Sequence, residues 1–332
     1  MKNKIGKGNF QLIDALPIIA LVILVVVFGI TSHGALFSSF NIQSVIRDSI
    51  PVILGGLGVI FVIATGGCDL SIGAVAAVAA TVGAYYGSQH GAWLTIIILL
   101  AIGLASGTFL GFVVSRCHVS SFMASLALLM GLRGFLNVCN VTWEQVYLPE
   151  SLLFINGFGP ALIITIVLIV VIGYIFEKTS FGYYCKGMGE NENTMRSIGV
   201  NTVKVRHLAF IVSGVMASIM GLLLIASTGG SSSTLGNFMV MKVQMGIFLG
   251  GVLVSGGMRS KIYKLIFGAL SITVIVNGLT ISGASSSVTE LAEGIILMVI
   301  LYLTIQLSNH SNLFSFGKKK AQAADEEEEA AA

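Results

Sequence analysis

Gly66-Gly67-Cys68-Asp69-Leu70-Ser71-Ile72-Gly73 interrupts an apolar run that extends from Pro51 to Tyr86. As a single helix the run would be roughly 54 Å long at about 1.5 Å per residue. A bilayer's hydrocarbon core is only about 30 Å thick, so the run has to fold into two passes. Two adjacent glycines loosen the first helix, and Asp69 or Ser71 can accept a hydrogen bond from the free amides that open the next one. A carboxylate is thereby set at or near membrane depth, where a broken helix is tolerated only if it faces protein or a water-filled cavity. The stretch points to transport.

Composition leads to the same class. Of 332 residues, 55% are hydrophobic and only 10% charged, against about 25% charged in an average soluble domain. The chain is expected to be an all-α polytopic membrane protein. Its 40 glycines against 4 prolines suit closely packed transmembrane helices, in which small residues let backbones approach. The four cysteines, Cys68, Cys117, Cys139 and Cys185, show no C-x-x-C spacing and read as buried thiols. No His/Cys/Asp/Glu cluster has metal-ligand spacing and no nucleophile–base pair is visible, so neither metal, cofactor nor catalytic residue is expected.

Hydropathy predicts about ten spans, at residues 13–31, 49–65, 71–88, 92–115, 120–138, 159–176, 207–228, 238–256, 262–281 and 287–306. An even number returns both termini to one side. Fifteen of the 18 basic residues fall on one set of alternating connections, which the positive-inside rule assigns to the cytoplasm. Arg47 reads as the lone basic residue of an outside loop, while Arg133 and Lys242 fall within spans. The chain divides into a cytoplasmic segment (1–12), a transmembrane domain (13–306) and a disordered cytoplasmic tail (307–332) in which three lysines precede Asp325 to Glu329. The first span reads as a retained signal-anchor.

The longest inside loop, residues 177–206, has local order of its own. Asn191 or Asn193 can cap a short helix, Glu192 lies in its positive first turn, and Gly199 can end it in the left-handed conformation. One or two helical turns beside the membrane are expected. They serve either as an ordinary interfacial helix or as a docking helix on which a cytoplasmic partner pushes.

These residues resemble a known family. Leu57-Gly58-Val59-Ile60-Phe61-Val62-Ile63 leading into Gly66 to Gly73 resembles the signature of the permease subunits of bacterial ribose-type ABC importers. The stretch Gly189-x-Asn191-Glu192-x-x-x-Arg196-x-x-Gly199-Val200 is similar to that family's cytoplasmic coupling segment. Leu249-Gly250-Gly251-x-x-x-Ser255-Gly256-Gly257 is a third match, and Gly294 to Leu297 a fourth.

The resemblance implies a type II-like importer permease with its broken helix near Gly66–Ser71, set in the bacterial plasma (inner) membrane with both termini cytoplasmic. It implies a second permease copy, expected to form a homodimer, an extracytoplasmic solute-binding protein and cytoplasmic ATP-binding subunits. No nucleic-acid partner is implied. A substrate path over Gly66, Gly67, Asp69, Ser71, Gly250, Gly251 and Ser255 is implied, as is ATPase coupling through Gly189, Asn191, Glu192, Arg196 and Gly199. The chain has no G-x-x-x-x-G-K-[ST] phosphate loop, so hydrolysis must come from a partner. The solute would be a sugar, nucleoside or related polyol. The alternative is an ion- or proton-coupled secondary transporter, which needs a buried carboxylate network for which Asp69 alone is well placed.

Two departures stand out. Where the family commonly carries a Glu-Leu-Asp-type sequence, this chain has Val240-Met241-Lys242, and Arg259 replaces a usual glycine. Lys242 is expected to snorkel to the outer surface, with pairing to Glu290 or Glu293 as the alternative. Asp69 reads equally as a helix cap alone and as a cap that also lines the path. Arg133 is expected to satisfy carbonyls or a carboxylate between helices, and Phe122 and Met123 to be packing residues.

Overall fold

The computed structural model describes residues 12–302, apart from residue 144. Its helices are α1 (Leu12–Thr31), α2 (Ser39–Ala64), α3 (Ile72–His90), α4 (Ala92–Arg116), α5 (Ser121–Thr142), α6 (Phe158–Lys178), α7 (Ser180–Ser197), α8 (Thr202–Thr228), α9 (Met239–Leu249) and α10 (Ile262–Ile281). A last helix, α11, covers residues 286–302. Short 3-10 turns at Ala35–Phe37 and Glu150–Asn156 precede α2 and α6. The first eleven residues and the expected tail at 307–332 lie outside the described residues.

A helix occupies each segment expected to span, but the count of ten crossings is too coarse. Among the described residues six helices, α2, α4, α5, α6, α8 and α10, are long and apolar enough to cross a membrane. The expected span at 238–256 is corrected: α9 has 11 residues, roughly 16 Å at about 1.5 Å each, half of a hydrocarbon core. Its end is a Schellman turn, with Gly251 at φ +78°, the Gly251 amide donating to the Phe248 carbonyl and the Val252 amide to that of Ile247. The chain then runs without regular helix to Lys261. Arg47 is not in a loop either; it belongs to α2.

α2 is the hub of the bundle. From Ser49 to Ala64 nearly every residue is buried, because α2 packs on α8, α10, α6 and α9 at once. An apolar face all round suits a helix surrounded by other helices. α4 lies along α8 at unusually close range. A Cβ placed on Gly103 would stand 2.6 Å from the Gly214 carbonyl oxygen, and one on Gly107 2.5 Å from that of Phe210. These glycines recur every fourth residue on α4 and let the two backbones touch, as small residues do between membrane helices. α5 and α6 keep much of their apolar surface outside the chain's own core. Phe122 and Met123 are among the exposed residues of α5, contrary to the packing role expected of them.

All four cysteines are free. Cys139 and Cys185 are buried, and burial pushes the Cys185 thiol in α7 up to about 12. Cys117 is exposed, so the buried-thiol reading fails there.

Replacing Gly107 with leucine should force α4 off α8 and lower stability by about 1–3 kcal/mol, the usual cost of overpacking. Thermal unfolding in detergent measures this. An unchanged midpoint would mean that the two backbones are not in contact.

Candidate functional site

α2 stops at Ala64 by the same device that ends α9. Gly66 takes φ +78°, its amide donates to the Ile63 carbonyl, and the Gly67 amide donates to that of Val62. Residues 65–71 then run non-helically to α3. Thr65, Asp69 and Ser71 in this segment are buried, so each polar group needs a partner.

The Thr65 hydroxyl donates to the Val62 carbonyl at 2.7 Å, and three further helices hold the rest of the segment. The Cys68 amide donates to the Ser121 hydroxyl of α5 at 3.0 Å, and Gln244 Nε2 of α9 approaches the Cys68 sulfur at 3.3 Å. Asp69, only 2% exposed, accepts on Oδ1 from the amide and hydroxyl of Ser71, at 2.9 and 2.7 Å. Its Oδ2 accepts from the Ser213 hydroxyl of α8 at 2.6 Å. Asp69 therefore closes an Asx turn ahead of α3 and ties that turn to α8, and the Ser71 side chain makes no cap bond. A carboxylate that accepts three such bonds is strongly held even without a counter-ion.

The break is also where the three sequence motifs meet. A Cβ on Gly256 would lie 2.1 Å from the Ile63 carbonyl oxygen, and one on Gly189 would lie 2.2 Å from that of Ala64 and 2.4 Å from the Gly257 nitrogen. The Gly257 amide donates to the Ala64 carbonyl at 3.2 Å. The end of α2, the middle of α7 and the segment after α9 are thus in direct backbone contact. Ser255 borders the same junction, its carbonyl oxygen 3.5 Å from a Cβ on Gly66. Gly250 packs elsewhere, against the Lys264 carbonyl of α10, and Gly251 is exposed. Gly66 and Gly67 also border a cleft of about 270 Å³ with His118, Ser121 and Arg206.

α7 is longer than the one or two turns expected. It is a helix from Ser180 to Ser197 with one non-helical residue, Asn191 (φ −162°, ψ 104°). Asn191 caps the second half, its Oδ1 accepting from the Thr194 amide at 3.0 Å. Gly199, at φ +86°, ends it as expected. Glu192, on one side of that kink, was expected in the coupling segment; Glu190, on the other, carried no expected role. Glu190 accepts from the Met258 amide at 2.9 Å and clasps the first half of α7 to the segment after α9. Glu192 bridges Arg206 of α8, at 2.6 Å, and Arg196, at 2.9 Å. Below them Glu177, at the end of α6, pairs with buried Lys186 at 2.9 Å and accepts from the Ile262 amide that opens α10 at 3.1 Å. The Lys186 ammonium sits 4.3 Å above the Phe176 ring, and Phe176 meets Phe61 of α2 edge-on at 4.8 Å. Glu190 was adjacent to a quoted motif residue; Ser213 and Glu177 left no signal beyond single polar residues near apolar runs.

Arg133 donates to the Leu235 carbonyl at 2.7 Å, as expected of an interhelical arginine. Lys242 does not simply snorkel; it pairs with Glu293 of α11 at 3.3 Å, because that carboxylate is 2% exposed and a buried charge is costly without a counter-ion. Among the described residues no group of three His, Cys, Asp or Glu could hold a metal.

Several helices long and apolar enough to cross a membrane, with a buried carboxylate just beyond the end of one of them, mark a multi-pass membrane protein. The chain belongs to the family described as branched-chain amino acid transport system / permease component, whose match covers residues 41–304. It is similar to the ribose import permease protein of Escherichia coli, 26% identical over 299 residues, covering 87% of this chain and 92% of that one. It is similar also to the fructose import permease proteins of Rhizobium meliloti, 25% identical with 86% and 83% covered, and Bifidobacterium longum, 28% identical with 91% and 90% covered. No solved structure gives a significant match.

Two outcomes follow. Ser213→Ala leaves Asp69 Oδ2 buried without its donor and should cost about 1–3 kcal/mol, read as a lowered unfolding temperature in detergent; an unchanged temperature would show that the bond is dispensable. For Glu192, partial burial pushes the carboxyl up, but the hydrogen bonds and charge of Arg206, with Thr202 and Arg196, outweigh it and hold the carboxyl below its ordinary value of 4.5. Its contribution is therefore complete above that ordinary value and is lost as the pH falls through the lowered one. The stability difference between the native protein and Glu192→Gln should be present at neutral pH and vanish in acid; a difference that grows toward acid would contradict the pairing.

Proposed function

We propose that this chain is the membrane-spanning permease of an ATP-driven importer that passes a sugar, or a related small polar solute, from an extracytoplasmic binding protein to the cytoplasm. The observation that carries this reading is the junction at Ala64, Gly189 and Gly257, where a polar helix touches the broken transmembrane segment backbone to backbone. The named functions of relatives aligned over most of their length supply the solute class: ribose and fructose import. The family description speaks of branched-chain amino acids, but hydroxyl-rich solutes suit those relatives better.

In this reading α7 faces the cytoplasm and receives the ATP-binding subunits, with Gly189, Asn191, Glu192, Arg196 and Gly199 as the coupling set. Nucleotide-driven closure presses on the second half of α7. The Glu192–Arg206 pair passes the displacement to α8, and the Glu190 clasp passes it to the segment after α9 and to the end of α2. The junction moves as one body, and the helix packings around it switch between two discrete arrangements rather than along a continuum. The path, in an expected homodimer, runs by Gly66, Gly67, Asp69, Ser71, Gly250, Gly251 and Ser255. Both termini lie in the cytoplasm, and the ten helical segments besides α7 form the transmembrane domain within 13–306. Hydrolysis belongs to the partner subunits. The comparisons lend the ion-coupled alternative no support.

Uptake into proteoliposomes holding the full complex tests the reading. ATP-dependent accumulation should be abolished by a hydrolysis-dead ATPase and should ignore sodium and proton gradients. Glu192→Gln should keep ATP turnover while uptake drops about tenfold or more, the equivalent of one lost charged hydrogen bond. Accumulation driven by an ion gradient alone would contradict the proposal.

A further inference from the structure

A cavity of about 220 Å³ lies near the end of the bundle opposite α7, walled by α2, the turn before α6, α8, α9 and α10. Asp48, on its rim, is sixteen residues before Ala64 on the same helix, roughly 24 Å from the junction at about 1.5 Å per residue. Its apolar walls include Leu223 and Ile272, and its polar groups are Arg47, Asp48, Asn156, Ser227, Lys242 and Thr273. Lys242 lies within an apolar helix, where an ionisable side chain is expensive and stands for a functional reason by default, while Arg47 and Asp48 are exposed on α2 just before its apolar core.

Bonds within the protein leave several acceptors at the cavity unused. Ser227 and Thr273 donate to carbonyls of their own helices, which leaves their oxygens open as acceptors. Pro51 brings no amide to the Arg47 carbonyl, so a further acceptor is freed on α2. Lys242 is steadied from behind by Glu293, whose second carboxylate oxygen is buried and has no hydrogen-bond partner. Apolar walls with a few convergent polar groups are the usual form of a small-molecule site.

We propose that this cavity is an entry station for one neutral monosaccharide, which the solute occupies before it reaches the junction; the assignment rests on the sugar-permease reading above. The charges cancel within the site, with Arg47 beside Asp48 on α2 and Lys242 held by Glu293. A carboxylated or phosphorylated solute would have to draw Lys242 from Glu293 and strand a buried carboxylate. A cationic solute would meet Arg47 and Lys242. A neutral polyol can donate to Asp48 and accept from Arg47, Lys242 and Asn156, while its C–H face lies against Leu223 and Ile272. The volume falls below the roughly 300–1,000 Å³ of sites for drug-sized ligands, which favours a monosaccharide over an oligosaccharide.

The test uses the full complex in proteoliposomes with D-ribose and D-fructose as probes. Ser227→Leu, which fills the cavity, and Asp48→Asn, which removes its acceptor without bulk, should each lower ATP-dependent uptake about tenfold, while stimulation of the ATPase by the binding protein persists. In a Cys117→Ser background, Ser227→Cys should react with a membrane-impermeant methanethiosulfonate reagent added outside, and whichever of the two sugars is transported should slow that reaction. Native uptake through both variants, or labelling that the transported sugar does not slow, would overturn the cavity assignment and leave the permease reading standing. Absence of ATP-dependent uptake of either sugar by the unaltered complex would overturn both.

Discussion

Backbone touches backbone where α2 ends, and most of the architecture follows from that contact. The carbonyls of Ile63 and Ala64 face Gly256 and Gly189 at distances that leave no room for a Cβ, and the Ala64 carbonyl also accepts from the Gly257 amide. Side chains at an interface can repack around a small shift, whereas abutting main chains cannot. The polar helix α7, the end of α2 and the segment after α9 are therefore constrained to keep their mutual placement. The Asn191 kink falls just beyond the constraint, so the second half of α7 can tilt without breaking it. Two carboxylates flank the kink, Glu190 fastening the first half of α7 to the segment after α9 and Glu192 the second half to α8.

The same junction explains how a carboxylate persists inside the bundle. Asp69 has no cation in hydrogen-bond range among the described residues; its three donors come from Ser71 and Ser213. A fixed set of neutral donors stabilises a buried charge only while the donors stay in place. Any movement of α8 against the break is felt at once by Asp69. Coupling between α7, through Arg206 on α8, and the broken segment thus needs no long chain of residues. It needs one helix.

Much of this was legible in the sequence, and what was not has physical causes. The interruption at residues 66–71 could be seen because an apolar run of twice the membrane thickness cannot remain one helix. The end of α7 at Gly199 and its Asn191 cap could be seen because capping is local. The length of α9 could not, since hydropathy continues through Val252 and Val254 while the stop is conformational, at Gly251. The partner of Asp69 is far away in sequence, at Ser213, and no local pattern announces a contact that only the packed bundle creates; the Lys242–Glu293 pair was legible as one of two readings, because both residues fall near the outer ends of their spans. Arg47 was misplaced in a loop for a related reason: α2 begins about ten residues before its apolar core does.

Hydrogen exchange on the assembled complex, with and without trapped nucleotide, bears most directly on the backbone junction. The amides of Gly257 and Met258, bonded to the Ala64 carbonyl and to Glu190, should stay protected in both states, while protection across residues 191–199 changes. Exposure of the 255–258 amides on nucleotide binding, with 191–199 unaltered, would contradict the account.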